Sequence, residues 1–242
     1  MVLWAEKEEI LGLFKETPLF SGLTIETQKI FANTAVTCSI PKGQVIYMEE
    51  NHADFFYIIK KGWVKLFRET FDGTEAVIDI LSSSHIFGEF SIFDNGIYSS
   101  SAQAVEDSIL ISLPTSILKE QIEKDPKLAF NMFAVMSRYQ RQQDKKIEHL
   151  TLQTTSQRIG CFLLRLCPQN QKTDIVIQLP YDKILLASRL GMKPESFSRS
   201  LNILRDKTGI RISGARVEID SISQLTDFSC KGCSSSYPCE DI

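Results

Sequence analysis

The chain has 242 residues, 43% of them hydrophobic and 24% charged, with a formal net charge of −3. These proportions are ordinary for a globular protein of about two domains and exclude a disordered chain or a fibre. No apolar run approaches the ~20 residues that a membrane span requires, which excludes a membrane-spanning protein.

The first residues indicate the cytoplasm. Residues Met1–Glu9 carry acidic charge where a signal peptide would carry a basic segment followed by an apolar one. In that compartment the six cysteines are not expected to form a disulfide framework. We therefore expect a cytoplasmic protein with no membrane partner.

The first half of the chain is predicted to be two helices followed by a β-domain. The helices cover about Trp4–Phe14 and Thr24–Ala35. From there to Leu113, short segments rich in Val, Ile, Phe and Tyr alternate with turn residues, which is typical of an antiparallel barrel or roll. Tight hairpin turns are expected at Lys61-Gly62 and Asp72-Gly73. The clearest predicted strands are Phe56–Ile59, Trp63–Phe67 and Ala76–Ile80.

A long amphipathic helix is predicted from Asp125 to Leu150. Its apolar residues recur at helical spacing, and no glycine interrupts it. The apolar side chains of such a stripe have to be buried against another surface, and a symmetric partner helix would bury them in a homodimer. The alternative is that the stripe packs on the chain's own β-domain. The expected interface residues are Met132, Val135, Met136, Tyr139, Ile147 and Leu150.

The C-terminal part carries the most specific pattern. A helix is expected over Thr154–Leu166 and a strand over Ile175–Leu179, and Pro180 can start the next helix. Two helices, Lys183–Leu190 and Lys193–Arg205, are then separated by Gly191. A small Ala187, a turning glycine and a large Phe197 at these spacings indicate a helix-turn-helix.

The second of these helices has two chemically distinct faces. Phe197, Leu201 and Leu204 share one face, while Glu195, Ser198 and Arg199 share the other, near the helix N-terminus. In a helix-turn-helix these polar positions enter the major groove, where arginine can bind guanine and glutamate can accept from cytosine. Glu195 could instead simply favour the helix dipole. The other predicted DNA contacts are Ser196, Lys193, Arg189, Arg211 and Arg216.

Basic charge accompanies this helix-turn-helix. Eight basic and three acidic residues lie between positions 180 and 216 of an otherwise acidic protein, as a phosphate-facing surface requires. The segment Ile210–Ile219, two short strands around Ser213-Gly214, predicts a β-wing whose Arg211 and Arg216 are available to phosphates.

These motifs resemble those of the Crp/Fnr family of bacterial regulators. The resemblance rests on the run from Pro180 to Leu201, on Pro41–Tyr47, on Ala53–Val64 and on Phe87-Gly88-Glu89. It implies an α+β protein with a β-roll sensor domain (residues 1–124), a dimerisation helix (125–150), a winged helix-turn-helix (151–228) and a cysteine tail (229–242). It further implies a homodimer that binds palindromic double-stranded DNA and contacts RNA polymerase. Glu195, Ser198 and Arg199 match the Fnr type, which implies TTGAT-like half-sites.

The effector pocket departs from the cAMP-binding members of the family. Its expected residues are Gly88, Glu89, Tyr98, Ser99 and Ser100. The stretch Tyr98–Ala104, here called the serine motif, lacks the arginine that pairs with the cyclic phosphate in those members, so no response to cAMP is expected. The motif is similar to that of the Dnr/Nnr regulators, which implies nitric oxide sensing and haem.

The cysteine tail suggests a different cofactor. Cys230, Cys233 and Cys239 have the spacing that holds a [4Fe–4S] cluster in oxygen-sensing Fnr proteins, and thiolates are the ligands such clusters prefer. The cluster is the favoured interpretation, with haem as the alternative. A zinc site or a disordered tail would also fit the pattern. None of the three histidines, His52, His85 and His149, stands out as a ligand. Candidates for a fourth cluster ligand are Cys161, Cys167, Cys38 and Asp144.

The leading hypothesis is thus a transcription regulator that responds to oxygen, nitric oxide or redox state. A small-ligand-sensing signalling module of the same fold, whose C-terminal domain contacts proteins, is the alternative. No motif of an enzyme is present in the sequence, so no catalysis is expected.

Overall fold

The computed structural model describes residues 4–168, 171–179, 183–234, 237 and 239. It divides into two units, Met1–Ser137 and Arg138–Ile242, and the boundary lies within one long helix. The predicted α+β class is confirmed, with a β-domain, a long helix and a helix-turn-helix domain in that order. Among the described residues, no helix is long and apolar enough to cross a membrane.

The first unit is an antiparallel β-roll preceded by two helices, α1 (Trp4–Glu16) and α2 (Ile25–Thr34). Helix α2 begins at Thr24, whose side chain accepts a hydrogen bond from the Thr27 N–H and so caps the helix. One sheet has the order β1-β8-β3-β6 and the other β2-β7-β4-β5. The strands are β1 Val36–Ile40, β2 Val45–Tyr47, β3 Phe55–Lys61, β4 Val64–Glu69, β5 Glu75–Leu81, β6 Ile86–Phe87, β7 Ser101–Ala104 and β8 Ser108–Pro114.

One of the two predicted hairpin turns is wrong. Asp72-Gly73 does connect the paired strands β4 and β5. Lys61-Gly62, however, connects β3 and β4, which belong to different sheets. Gly62 has φ +97°, and a Cβ there would lie 2.8 Å from the Ser108 Cα. The glycine is therefore needed because the chain crosses between sheets against β8, and not because two neighbouring strands pair.

Two apolar clusters hold the first unit together. In the first, α1 and α2 pack on the β1-β8-β3-β6 sheet, with Phe14 stacked on Phe20 at 4.1 Å and Phe31 edge-on to Phe20 at 5.1 Å. The second fills the inside of the roll with Tyr47, Phe87 and Tyr98 among others. Burial of each such ring contributes roughly 1.5–3 kcal/mol.

Helices α3 (Thr115–Lys124) and α4 (Pro126–Leu152) follow the roll. The first turns of α4 are anchored on the first unit, because Asn131 donates hydrogen bonds to the Leu19 and Ser21 carbonyls at 2.9 and 2.7 Å. Met132 is 1% exposed and belongs to the core cluster of this unit. The prediction that Met132 faces a partner chain is therefore wrong: this part of the stripe packs on its own domain.

The second unit has the predicted order of elements. Its helices are α5 (Thr155–Leu166), α6 (Lys183–Arg189), α7 (Pro194–Thr208) and α8 (Ser223–Ser229). A three-stranded sheet has the order β10-β11-β9, formed by Arg211–Ser213, Arg216–Ser221 and Thr173–Gln178. Thr154 and Gln157 form a capping box at the start of α5. Pro180, the predicted helix start, lies outside the described residues.

Candidate functional sites

The helix-turn-helix is held by buried residues on one face of α7. Phe197, Leu201 and Leu204 are buried, as predicted, together with Ala187 of α6. Between the helices Gly191 has φ +66°, and Met192 donates its N–H to the Ala187 carbonyl at 3.0 Å. The left-handed backbone at Gly191 produces the tight turn. These contacts fix which face of α7 points outward.

The outward face of α7 presents the three predicted base-contacting residues. Glu195, Ser198 and Arg199 are all exposed, and Ser198 Oγ donates to the Pro194 carbonyl at 3.1 Å. Among the described residues neither Glu195 nor Arg199 is engaged in an ion pair. Lys193, at the N-cap of α7, is exposed and Ser196 is partly buried. A carboxylate and a guanidinium one turn apart at a helix N-terminus, with no ion-pair partner among the described residues, can contact base edges.

Three other residues that are predicted to contact DNA interact with side chains of the protein itself. The guanidinium of Arg189 lies 5.7 Å from the centre of the Phe162 ring, a cation–π contact. In the wing, Arg211 forms two hydrogen bonds to Asp220, at 2.9 and 2.7 Å. Arg216 donates to Glu218 at 2.8 Å. Carboxylates of β11 hold both wing arginines, yet both side chains remain exposed, so their contact with phosphates stays a prediction.

The wing ion pairs have a measurable electrostatic signature. Hydrogen bonds from Arg216 and then Arg211 hold the pKa of Glu218 below its ordinary value, and Arg211 lowers the pKa of Asp220 in the same way. Because these groups are exposed to solvent, which screens their charges, each pair contributes little to stability. Phosphates could thus displace the carboxylates at small cost.

The predicted effector pocket is filled by aromatic rings. Tyr98 stacks on Tyr47 with ring centres 3.6 Å apart, and its hydroxyl donates to the Phe55 carbonyl at 2.6 Å. Gly88 packs against Tyr98, since a Cβ at position 88 would lie 3.1 Å from that ring. Glu89 is 3% exposed, and burial raises its pKa to about 7.

The serine motif has a cation beside it that the sequence interpretation missed. Ser100 is buried, Ser99 is exposed, and the guanidinium of Arg68 donates two hydrogen bonds to the Ser99 carbonyl, at 2.9 and 2.7 Å. Arg68 also pairs with Glu49 at 3.0 Å. It comes from β4, about thirty positions earlier in the chain, so motif spacing alone could not reveal it.

Helix α4 exposes more apolar surface than the predicted interface contains. Val135 is partly buried, whereas Met136, Tyr139, Ile147 and Leu150 are exposed. Two further residues were missed: Phe130 and Phe133, the latter 67% exposed. Large apolar side chains repeated along one helix in this way mark an interaction surface.

Four cysteines line a single cleft in the second unit. The tail residues Cys230, Cys233 and Cys239 are joined there by Cys161 of α5. This cysteine cleft contains about 310 Å³ of empty space, a volume that includes open solvent. The cleft is also lined by Gln153, Leu164, Arg165, Ser229 and Tyr237.

The thiols of the cysteine cleft influence one another. Burial raises the pKa of Cys239, and the nearby Cys161, Cys233 and Cys230 raise it further. Burial likewise raises the pKa of Cys161, against a smaller lowering effect of Arg165. Within the described residues no three histidine, cysteine or acidic side chains converge as the ligands of a single metal ion would. The thiols surround a space without meeting at one point.

Two polar side chains in the wall of the cleft have no hydrogen bond of normal geometry to another described residue, although the Gln153 amide acts on the Cys161 thiol and lowers its pKa. Both polar atoms of the Gln153 amide are buried without a hydrogen bond of normal geometry, and so is the Ser229 hydroxyl, which is 0% exposed. Buried polar groups are normally hydrogen-bonded, so both side chains are donors that a group bound in the cleft could use.

The tail is attached to the end of α4. The Glu148 carboxylate accepts from the Ser234 N–H at 2.6 Å and from its hydroxyl at 3.0 Å. Lys145 donates to Ser234 Oγ at 2.7 Å and also pairs with Glu148. The described part of the tail is therefore packed against helices, which is contrary to a disordered tail with exposed thiols.

The other candidates for a fourth ligand lie elsewhere. Cys167 is buried, donates to the Leu163 carbonyl at 3.4 Å and does not line the cleft. Cys38 lies on β1 of the first unit. Asp144 is exposed on α4 and accepts from Gln140 at 3.4 Å. Only Cys161, of the four residues considered from the sequence, borders the cleft.

Each of the two units contains a segment that matches a known protein family. Residues 37–125 match the cyclic nucleotide-binding domain, and residues 157–228 match the Crp-like helix-turn-helix domain. The cyclic AMP receptor protein of Thermus thermophilus is 29% identical over 213 residues, which cover 88% of this chain and 97% of that protein.

Solved structures agree with this result. A candidate cyclic nucleotide binding protein from Ruegeria pomeroyi is 31% identical, with a TM-score of 0.64, over 92% of this chain and 97% of that one. DNR from Pseudomonas aeruginosa is 26% identical, with a TM-score of 0.51, over 90% of this chain and 96% of that one.

Proposed function

This chain belongs to the Crp/Fnr family of DNA-binding transcription regulators, and we propose that it binds a palindrome of TTGAT-like half-sites as a homodimer. We further propose that it acts in the cytoplasm with RNA polymerase and responds to oxygen, nitric oxide or redox state rather than to cAMP. The observation that carries the DNA-binding proposal is the outward face of α7, where Glu195, Ser198 and Arg199 are exposed opposite a buried apolar face.

The chemistry of that face suits base recognition. Arg199 can bind guanine O6 and N7 through two hydrogen bonds, Glu195 can accept from cytosine N4, and Ser198 can serve either base. A twofold homodimer would present two such helices about one helical turn of DNA apart, which is why the proposed operator is a palindrome. The exposed apolar side chains of α4 supply the surface for that homodimer.

Two observations support an effector other than cAMP. The serine motif contains no arginine, and Arg68 beside it is already bound to Ser99 and Glu49. The stacked Tyr47 and Tyr98 occupy the inside of the roll near Glu89. The relative from Thermus thermophilus is named for cAMP, so binding of cAMP is the alternative to exclude by titration calorimetry.

The cysteine cleft supports redox sensing through a [4Fe–4S] cluster on Cys230, Cys233 and Cys239. Soft thiolate ligands suit iron–sulfur clusters, and the buried Gln153 amide and Ser229 hydroxyl that line the cleft can donate to cluster sulfur atoms. When bound, such a cluster supplies chemistry that responds to oxygen and nitric oxide. No comparable set of groups favours haem in the described residues.

The decisive experiment compares DNA binding by three forms of the full chain: the unmodified protein, Arg199→Ala and Arg205→Ala. Arg205 is a matched control because it is an exposed arginine of α7, paired with Asp206 away from the helix N-terminus. Fluorescence anisotropy is measured with a TTGAT palindrome and with a scrambled duplex, at several salt concentrations.

We expect Arg199→Ala to weaken binding to the palindrome at least tenfold, equivalent to about 1–3 kcal/mol, while Arg205→Ala changes it about twofold at most. The dimer should persist in both variants. Affinity should fall steeply with added salt for every form. Equal binding of palindrome and scrambled duplex by the unmodified protein would refute sequence-specific recognition and favour the signalling-module alternative.

A further inference from the structure

The outward face of α7 exposes one more polar residue beside the three predicted base contacts. Successive residues of an α-helix are rotated by ~100°, so position 202 points within ~20° of position 195 and between positions 198 and 199. Asn202 is exposed at that position. The outward face therefore has four polar members, Glu195, Ser198, Arg199 and Asn202, and the sequence analysis had not singled out the last.

The rotation of α7 about its own axis is fixed by the packing of its opposite side. Phe197 is 1% exposed and Leu204 is 0% exposed. Ser200 is also buried, and its hydroxyl is hydrogen-bonded to the hydroxyl of Thr155 in α5, with 2.6 Å between the two oxygens. Because these contacts hold one side of the helix, Asn202 has to face away from the core of the second unit.

The fold makes no use of the Asn202 amide. Within the described part of the chain, no residue forms a hydrogen bond with this side chain. Asparagine is also a poor residue for the interior of a helix, because its side chain competes for the hydrogen bonds of the backbone. Its place in the middle of a 15-residue helix is therefore not explained by the stability of that helix. A contact outside the chain would explain it.

The position of Asn202 along α7 suits a base contact. It lies seven residues after Glu195, which is ~10 Å along the helix axis. The major groove is ~12 Å wide and successive base pairs are ~3.4 Å apart, so a helix lying in the groove can keep both residues near bases about three pairs apart. The next outward residue is Asp206, an exposed carboxylate that phosphates would repel. The part of the face that can meet DNA therefore ends at Asn202.

We propose that Asn202 is a fourth specificity-determining residue, which reads an A·T base pair by donating to adenine N7 and accepting from adenine N6. The asparagine amide carries a donor beside an acceptor, and adenine presents the complementary pair in the major groove. No other single base presents that pair there, since guanine offers two acceptors and cytosine a donor. The inference rests on the proposed DNA binding and adds to it the base pair that this residue selects.

The test selects DNA from a pool of duplexes with a randomised segment. The full chain is used in four forms: the unmodified protein, Asn202→Ala, Asn202→Asp and Ile203→Ala. Ile203→Ala is the matched control, because Ile203 is the neighbouring exposed and uncharged residue and points ~100° away from Asn202. Sequencing gives the base preference at each position of the operator, and circular dichroism checks the fold of each form.

Fluorescence anisotropy then measures the affinity of each form for duplexes in which one base pair is changed in both half-sites. With the unmodified protein, we expect replacement of the A·T pair read by Asn202 to weaken binding about tenfold. In Asn202→Ala the same replacement should change binding about twofold at most, with the other positions unaffected. Asn202→Asp should prefer cytosine there, because a carboxylate can accept from cytosine N4 but cannot donate to adenine N7. Ile203→Ala should select the same operator as the unmodified protein.

The outcomes separate this inference from the proposed function. If Asn202→Ala keeps every base preference, the base contact is refuted. A uniform loss of affinity for all duplexes would also refute it, because that is the behaviour of a phosphate contact. An operator other than TTGAT that still loses one adenine preference in Asn202→Ala would overturn the proposed half-site and support this inference. Failure of the unmodified protein to enrich any sequence would overturn both.

Discussion

The imidazole Nε2 of His149 lies 3.5 Å from the Sγ of Cys233, which places the last turns of α4 in contact with the cysteine cleft. Burial lowers the pKa of His149, and Arg165 lowers it further, so the imidazole is neutral at neutral pH and can bond to a thiol. The helix proposed to form the dimer therefore touches the group proposed to bind the cofactor, a direct route from cofactor state to helix position.

The first prediction concerns the attachment of the tail to α4. In Glu148→Gln, one acceptor oxygen and the charge opposite Lys145 are lost, so Ser234 is held less firmly. The hydrogen bond from the Ser234 N–H, followed by that from Lys145, lowers the pKa of Glu148 to about 2. We expect the alkylation rate of Cys233 in the cofactor-free protein to rise severalfold, measured by mass spectrometry.

The control for this prediction is Asp144→Asn, which removes an exposed carboxylate one turn earlier on α4. It should leave the alkylation rate of Cys233 unchanged. Equal rates in Glu148→Gln and the unmodified protein would show that Glu148 does not hold the tail in solution.

The second prediction concerns the homodimer. Ile147 is 62% exposed on α4, so a glutamate there would place a charge within the proposed interface. We expect Ile147→Glu to raise the dissociation constant of the dimer at least tenfold, measured by analytical ultracentrifugation. Phe71→Glu is the control, since Phe71 is an exposed apolar residue in the β4–β5 turn. A dimer equally stable in both variants would place the interface elsewhere.

The third prediction concerns the buried carboxyl of Glu89. Because burial raises its folded-state pKa from 4.5 to about 7, the folded protein holds this proton more tightly than the unfolded chain does. The folded state is therefore most stable, as far as Glu89 is concerned, below about pH 4.5, where the carboxyl is protonated in both states. This contribution to the unfolding free energy is lost as the pH rises through about 7. Glu89→Gln cannot ionise and escapes this loss.

We therefore expect the unfolding free energy of Glu89→Gln, relative to the unmodified protein, to increase by about 3 kcal/mol between pH 4 and pH 8. Urea unfolding followed by tryptophan fluorescence reports on the first unit, because both tryptophans, Trp4 and Trp63, belong to it. The exposed Glu106→Gln serves as control. A difference that stays constant with pH would mean that the pKa of Glu89 is the same in the folded and unfolded states.

The fourth prediction compares two glycines with left-handed backbone. Gly43 (φ +81°) has open space where a Cβ would lie, whereas at Gly62 (φ +97°) the Cβ would collide with the backbone of Ser108. Both Gly→Ala substitutions carry a conformational cost of roughly 1–2 kcal/mol. We expect Gly62→Ala to destabilise the first unit by a further ~2 kcal/mol, measured by the same urea unfolding. Equal losses of stability in Gly43→Ala and Gly62→Ala would mean that β8 can move away from position 62 at no cost in free energy.

Much of the architecture could be predicted because it depends on local pattern. Helical spacing identified α4 and α7, and the buried face of α7 followed from Phe197, Leu201 and Leu204. The exposed recognition residues followed from the same periodicity, since a helix with one buried face must expose the other.

Two of the differences from the sequence predictions involve contacts between distant parts of the chain, and a third involves ion pairs within the wing. Met132 fits the apolar stripe of α4 but packs in the core of its own domain. The spacing of apolar residues cannot show whether a side chain is buried by its own chain or by a partner chain. Gly62 resembles a hairpin glycine until the sheets are assigned. Arg211 and Arg216 were expected to be available to phosphates, but their carboxylate partners lie across or along the wing strands.

The cysteine site was only half predictable for the same reason. Three of its thiols are close in sequence, so spacing identified them. Cys161 is 69 residues before Cys230 and meets it only through the packing of α8 on α5. His149 was set aside among three scattered histidines, and its contact with Cys233 likewise appears only in the folded unit.

The close contact of Gly160 with Ser229 also limits what evolution can place at position 160. Helix α8 ends at Ser229, one residue before Cys230, so any side chain larger than hydrogen at position 160 would displace Ser229 and, with it, the backbone that carries the first tail cysteine.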